Sequence, residues 1–307
     1  MASNIKKIIT FGDSFTAGDE LLQDTYMEEI LEMLKSHSHI KVSKSGKLES
    51  KHSINKFQQE LSAFMKDKCG DKWTEYDRQF EYTYSSLLAK RLGVEVVNYS
   101  RGGNSNLGIY DNVVNCIETI DSSTLLLIGS TFINRKTRWW PQAQSKNWSG
   151  IHKHLYNYKT YLPGWGLRHK SDIDRAPAHK KYVALDLEFG DDWYFSYLSF
   201  TAQLLALKAE LTSKNIPHYF IDTTGTHNSA TTNNFSDLEF DSSTKKQQEY
   251  IQKTIASVLL PVSLLDSASS SNRAGLKHSQ LFGHFSREAH KQYANYLFDI
   301  VTRANIV

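Results

Sequence analysis

The run Gly12-Asp13-Ser14-Phe15-Thr16-Ala17-Gly18 places a serine directly after an apolar, β-branched segment that ends in Phe11. A hydroxyl held between a strand and a helix stands exposed at the strand end, with backbone N–H groups close to its oxygen. Nucleophilic attack needs such a hydroxyl, and the oxyanion that follows needs such donors. The flanking glycines permit tight turns. Gly-Asp-Ser also reads as a helix N-cap, because Asp and Ser are favoured there, and the motif alone leaves both readings open. Asp13 is expected to support the turn.

Other chemistry-bearing residues are less pointed. His152, His154, His169 and His179 are scattered and poor in neighbouring carboxylates, so neither a metal site nor a cofactor is expected. His290 follows His284 by six residues, off one helical face, and reads as packing or surface. Cys69 and Cys116 form no CxxC, which argues against a disulfide framework and a structural zinc. Trp139, Trp140, Trp148, Trp165 and Trp193, with Tyr156, Tyr158 and Tyr161, suit a groove where sugar rings stack. They equally suit a small satellite core beneath a long loop. Both readings stay open.

Strands are expected over 5–11, 94–99, 124–128 and 218–221, with a further strand or extended segment over 259–265. Helical spacing runs over 24–34, 57–68, 82–92, 109–120, 195–214, 245–257 and 286–304, and Gly93 stands where a C-terminal cap belongs. Strands alternating with helices predict an α/β fold: a doubly wound, mainly parallel sheet with helices on both faces. The chain reads as one domain over 1–307 with insertions at about 20–76 and 135–192. Both insertions fall where loops at the carboxyl ends of parallel strands bind ligands.

Composition narrows the function classes. A net charge of only +3 offers no basic surplus for phosphate recognition, so no nucleic-acid partner is expected. The Lys-rich stretch over 41–56, interleaved with Ser and Gly, reads as a solvated loop. No apolar run approaches the ~18 residues that span a bilayer, and the N-terminus lacks a signal-peptide pattern. The expected location is therefore cytoplasmic, with no membrane partner.

Ordered along the chain, four segments resemble the blocks of the SGNH/GDSL hydrolase superfamily. GDSFTAGDE, from Gly12, is similar to block I. Asn98-Tyr-Ser-Arg-Gly-Gly103-Asn-Ser-Asn106 is similar to block II. Leu125-Leu-Leu-Ile-Gly-Ser-Thr131 stands where block III belongs. Gly283-His284-Phe-Ser-Arg-Glu-Ala-His290 resembles block V. The SFTAGDEL, Tyr-x-x-Leu-Leu-Ala, GGNSN and Gly-x-Thr-x-x-x-Arg features look in particular like SGNH-like proteins of tailed bacteriophages, which would place the chain in a host cytoplasm.

The resemblance implies a flavodoxin-like three-layer fold and a serine esterase. Ser14 would be the nucleophile and His284 the general base. The N–H groups of Ser14 and Gly103 would hold the oxyanion. Two positions depart from the family pattern. Thr131 stands for the block III asparagine, the third oxyanion donor. Its hydroxyl could donate or could serve its own turn, and Asn134 or Arg135 could substitute. The acid that precedes the catalytic histidine is also missing, since Leu281 and Phe282 occupy its place. Asp266 and Asp222 are candidate replacements, each equally a turn or cap residue. Asn106, Arg135, Trp139 and Trp140 are candidate substrate contacts, and Arg135 would suit an acidic or phosphate-bearing substrate. The implied substrate is a small-molecule or glycan ester, acetyl favoured. The opposing reading is a non-catalytic binding or structural protein on the same scaffold.

Overall fold

The computed structural model describes residues 5–18, 21–37, 40–42, 48–50, 55–71, 79–102, 104–132, 136–139, 158–161, 193–224, 242–266 and 284–304. In chain order these hold β1 (Lys7–Phe11), α1 (Ser14–Ala17), α2 (Leu21–Asp24), α3 (Met27–Lys35), β2 (Ile40–Val42), β3 (Leu48–Ser50) and α4 (Asn55–Cys69). Then come α5 (Tyr84–Leu92), β4 (Glu95–Asn98), α6 (Asn106–Cys116), a 3-10 turn (Ile117–Thr119) and β5 (Thr124–Ser130). The remainder is β6 (Lys136–Trp139), β7 (Tyr158–Tyr161), α7 (Trp193–Ser213), β8 (His218–Asp222), α8 (Ser242–Ala256) and α9 (Arg287–Arg303).

The central sheet has the order β4-β1-β5-β8, and every pairing in it is parallel. Successive residues of its strands serve opposite faces, as the period of two requires. Ile9 and Phe11 of β1, with Leu126 and Ile128 of β5, pack under α6, α7 and α8. Ile8 of β1, with Leu125 and Leu127, packs under α5 and α9. The expected α/β fold, a doubly wound parallel sheet covered on both faces, is what the chain forms.

Strand order reverses at β1. The chain leaves β1 for β4 on one side, then crosses to β5 and β8 on the other. The carboxyl ends of β1 and β5 thus flank a topological switch point, where ligands bind in open α/β sheets. The expected strand over 259–265 shrinks to one parallel bridge, Leu259 to Phe220, with Leu260 N donating to Phe220 O at 2.8 Å. Pro261 has no N–H with which to extend that ladder.

The lysine-rich stretch read as a solvated loop is instead partly ordered. β2 and β3 pair antiparallel, and α4 begins at Asn55. Ile30, Leu34, Ile40, Phe57, Leu61 and Met65 form a separate apolar cluster there, so hydrophobic burial outweighs the polar composition of the connecting residues. Within the aromatic insertion, β6 and β7 pair antiparallel with Trp139 opposite Tyr158. Among the described residues, no helix is long and apolar enough to cross a membrane.

Candidate active site

Asp13 settles the capping question at the end of β1. Its Oδ1 accepts from Phe15 N at 3.1 Å, which makes Asp13 the N-cap of α1 and Ser14 the first helical residue. Ser14 is 5% exposed, and as the first residue of the helix it carries an N–H that no helical carbonyl takes up. Gly18 closes the turn in the left-handed region at φ 83°, donating N–H to Ser14 O at 3.0 Å. A Cβ on Gly12 would lie 2.2 Å from Thr16 Oγ1, so only glycine lets β1 turn so closely over α1.

The loop after β4 is tied to the same turn. Arg101 N donates to Gly12 O at 3.0 Å, and Tyr99 N donates to Thr10 O at 2.8 Å. Asn98 Oδ1 accepts from Ser100 N at 2.8 Å, bending the chain out of the strand. Ser105 then caps α6 by accepting from Gly108 N. Gly103, the expected second oxyanion donor, lies outside the described residues, as do Asn134, Arg135 and Trp140. Trp139 is placed by its backbone in β6.

Thr131 ends β5 fully buried. Its hydroxyl donates to Asp13 Oδ2 at 2.5 Å. The hydroxyl therefore steadies the turn below Ser14 rather than standing as the third oxyanion donor expected of it. Asn106 also departs from expectation. Its Nδ2 donates to Thr131 O at 3.0 Å, and its Oδ1 accepts from Thr131 N at 2.8 Å. Both ends of the amide thus hold backbone, and Asn106 acts as a clamp between α6 and β5 instead of a substrate contact.

His284 precedes α9, whose N-cap Ser286 accepts from Ala289 N at 3.2 Å. Its ring lies against Phe15, the neighbour of Ser14, with centroids 5.0 Å apart. Phe285 packs on the same phenyl ring at 5.1 Å. The general-base candidate is thereby brought to the turn that carries the nucleophile candidate. The start of α9 is fastened nearby: Arg287 N donates to Asp24 Oδ2 at 2.8 Å, and Arg287 Nε donates to Leu21 O at 3.1 Å. Its guanidinium lies 3.3 Å from the Tyr82 ring centroid. Burial raises the Asp24 carboxyl, opposed by its bond and charge contact with Arg287. No spacing rule links residue 24 to residue 287, so sequence reasoning passed over both.

His290 resolves as packing. It is buried, stacks on Tyr84 with centroids 5.7 Å apart, and accepts Tyr84 N–H on Nδ1 at 3.1 Å. Burial, with the charge of His284 secondary, holds its imidazole down at about 3. Tyr84 donates from its hydroxyl to Thr16 Oγ1 at 3.4 Å, and burial pushes that phenol up to about 12. Both groups are neutral members of the wall behind Ser14.

Of the two candidate acids, Asp266 is exposed and its Oδ2 accepts from Ser263 N at 2.8 Å and Ser263 Oγ at 2.7 Å. That carboxylate caps its own turn, against the catalytic role considered for it. Asp222 is buried at the end of β8, and its Oδ1 accepts from Thr224 N at 3.1 Å and Thr224 Oγ1 at 3.2 Å. No cluster of three or more potential metal ligands occurs among the described residues.

No family model and no curated protein matches the chain. Among solved structures, it is similar to a carbohydrate esterase whose active site is described as having divergent catalytic and non-catalytic binding functions. That overlap has a TM-score of 0.36 and 10% identity, covering 99% of this chain and 66% of the other, so the chain spans about two thirds of that protein's length. A protein from Desulfitobacterium hafniense DCB-2, described as lipolytic and of the G-D-S-L family, overlaps with a TM-score of 0.34 and 10% identity, covering 96% of this chain and 99% of that one.

Proposed function

We propose that the chain is a serine-dependent hydrolase of the SGNH/GDSL type that removes an acyl group, acetyl by preference, from a carbohydrate-like or other small ester. The observation that supports this reading is the packing of the His284 ring on Phe15, the residue after Ser14, at the switch point, with ring centroids 5.0 Å apart. Ser14 Oγ attacks the acyl carbon while His284 takes its proton. The N–H groups of Ser14 and Gly103 hold the oxyanion, one such donor being worth about 3–4 kcal/mol in the transition state. His284 returns the proton to the leaving alcohol, and water then releases the acyl group by the same base. Asn134 and Arg135 are the candidates for a third donor, and Trp139 and Trp140 for sugar stacking. The motif features shared with SGNH-like proteins of tailed bacteriophages support a phage origin and a host-cytoplasmic setting.

Loss of the acid from a triad costs about 10⁴ in rate yet leaves measurable catalysis, so a slow enzyme is the expected phenotype. The test is hydrolysis of aryl esters, acetate through octanoate, by the wild type, Ser14→Ala and His284→Ala. Activity abolished in both variants supports the reading. Wild-type activity no higher than that of Ser14→Ala sinks it. A second reading, a binding protein on this scaffold, is favoured by one observation: Thr131 and Asp266 both serve local structure.

A further inference from the structure

Arg287 lies three residues after His284 and reaches back to the nucleophile's own segment. A continuous backbone relay joins them. Gly18 N donates to Ser14 O, Leu21 N donates to Gly18 O at 3.2 Å, and Leu21 O accepts from Arg287 Nε. The backbone N–H of Arg287 goes to Asp24 Oδ2, one helical turn further on. Its guanidinium covers the Tyr82 ring, next to Thr83, whose methyl would lie 2.6 Å from a Cβ on Gly18. Among the described residues, these contacts of Arg287 fall on the segments that flank the Ser14 turn.

The body of α9 needs none of this to stay in place. Ala289, Tyr293, Ala294, Leu297 and Val301 are buried against α5 and the sheet. His284, however, stands outside the helix, ahead of its cap, and core packing from Ala289 onward does not fix the course of 284–286. Phe285 supplies an apolar anchor, and Arg287 supplies the polar one. The Arg287 Nη2 atom is buried with no acceptor among the described residues. The Nε donor and the flat stacking face, which lysine lacks, are what the site uses.

We propose that Arg287, through Leu21 O, Asp24 and Tyr82, is the positioning residue that holds His284 in register with Ser14. The inference rests on the serine-hydrolase reading only for its kinetic readout. It is not a group that touches substrate; it acts through the segment that carries the base.

The experiment compares wild type with Arg287→Ala, Arg287→Lys and Tyr82→Leu, the last removing the stack should Arg287→Ala fail to fold. Three quantities are followed: kcat and KM on an aryl acetate, the melting temperature, and the His284 ring proton resonances, identified by their disappearance in His284→Ala. A ring 5.0 Å from Phe15 carries a ring-current shift. Expected in the folded Arg287→Ala and Tyr82→Leu proteins is a loss of that shift, with kcat reduced ~10- to 100-fold and KM within about twofold, since small misplacements of a base are expensive. Arg287→Lys should fail to restore kcat. Unchanged His284 resonances in folded variants would overturn the proposal, as would a kcat that falls only with the folded fraction. If the wild type shows no Ser14-dependent hydrolysis, the esterase reading fails, and the resonances alone still decide for or against the positioning role.

Discussion

The Thr131 hydroxyl donates to the buried Asp13 carboxylate at 2.5 Å, and that same carboxylate accepts the N–H of Phe15. One acid thereby joins the ends of two adjacent parallel strands beneath Ser14. The side chain in the place of a third oxyanion donor works from below the nucleophile, on the shape of its turn. In the proposed reaction, stabilisation of the oxyanion then falls on the N–H groups of Ser14 and Gly103, with Asn134 or Arg135 as the candidate third donor.

Thr131→Val is expected to cost about 1.5–3 kcal/mol, the range for a hydrogen bond to a charged group lost inside the protein. Thr131→Ser keeps the hydroxyl and should stay within about 1 kcal/mol of wild type. Urea unfolding separates the two, and aryl-ester turnover should follow the same order. Equal stability and turnover for Val and Ser would remove Asp13–Thr131 from the support of the turn.

Asn106 offers a second check, because both backbone groups of Thr131 depend on its amide. Asn106→Leu removes both of these buried bonds, at about 0.5–1.5 kcal/mol each. Asn106→Asp keeps the acceptor but sets a carboxylate oxygen against the Thr131 carbonyl. That repulsion raises the introduced carboxyl's pKa in the folded state, and protonation turns it into the missing donor. Measured against wild type, Asn106→Asp should therefore be least stable near pH 7 and recover as pH falls below the folded pKa. A stability gap that does not change with pH would contradict the clamp.

The central sheet was legible because its inner strands, β1 and β5, are buried on both faces. A strand such as Leu125-Leu126-Leu127-Ile128, with side chains in both cores, is a continuous apolar run closed by Gly129. Helix ends set by local chemistry were legible too, as with Gly93 at φ 69° after α5. Two kinds of feature were hidden. β2 and β3 are only three residues each, and their antiparallel pairing, with Ile40 in the cluster around Phe57, is not a local signal. The tasks of Asn106, Thr131 and Arg287 depend on partners far away in sequence, 266 positions in the Arg287–Leu21 bond. The motif marked Ser14 and His284 as the candidate nucleophile and base. It carried no information on which neighbours hold them.

His290 makes stability pH-dependent in a direction that can be worked out. Its folded pKa, about 3, lies below the ordinary histidine value of 6.5. Protons therefore bind the unfolded chain more readily. The stability that neutral His290 confers is complete above pH ~6.5 and declines as pH falls toward 3, by at most about 1.4 kcal/mol per unit. His290→Asn replaces Nδ1 with an amide oxygen able to accept from Tyr84 N, and it does not titrate. The variant should be less stable than wild type at pH 7, through lost packing, yet lose about 2 kcal/mol less between pH 6.5 and 4.5. Urea unfolding at the two values decides it, and parallel losses in both proteins would assign the acid sensitivity elsewhere.

Gly129 tests how tightly the floor beneath Ser14 is built. A Cβ there would lie 2.4 Å from Thr16 Oγ1 and 2.8 Å from Thr223 Cγ2, so Gly129→Ala must push β5 away from α1 or from the end of β8. Overpacking of this kind costs about 1–3 kcal/mol. Thr16→Ala removes the nearer obstacle while giving up the weak bond from Tyr84 at 3.4 Å, a change worth about 1 kcal/mol. Residues sharing one contact do not add. The double variant should therefore be more stable than the sum of the single losses by about 1 kcal/mol, with Thr223 accounting for the part that is not recovered. Strict additivity in urea unfolding would mean that Thr16 yields freely, and that the close approach of β5 to α1 does not constrain the nucleophile turn.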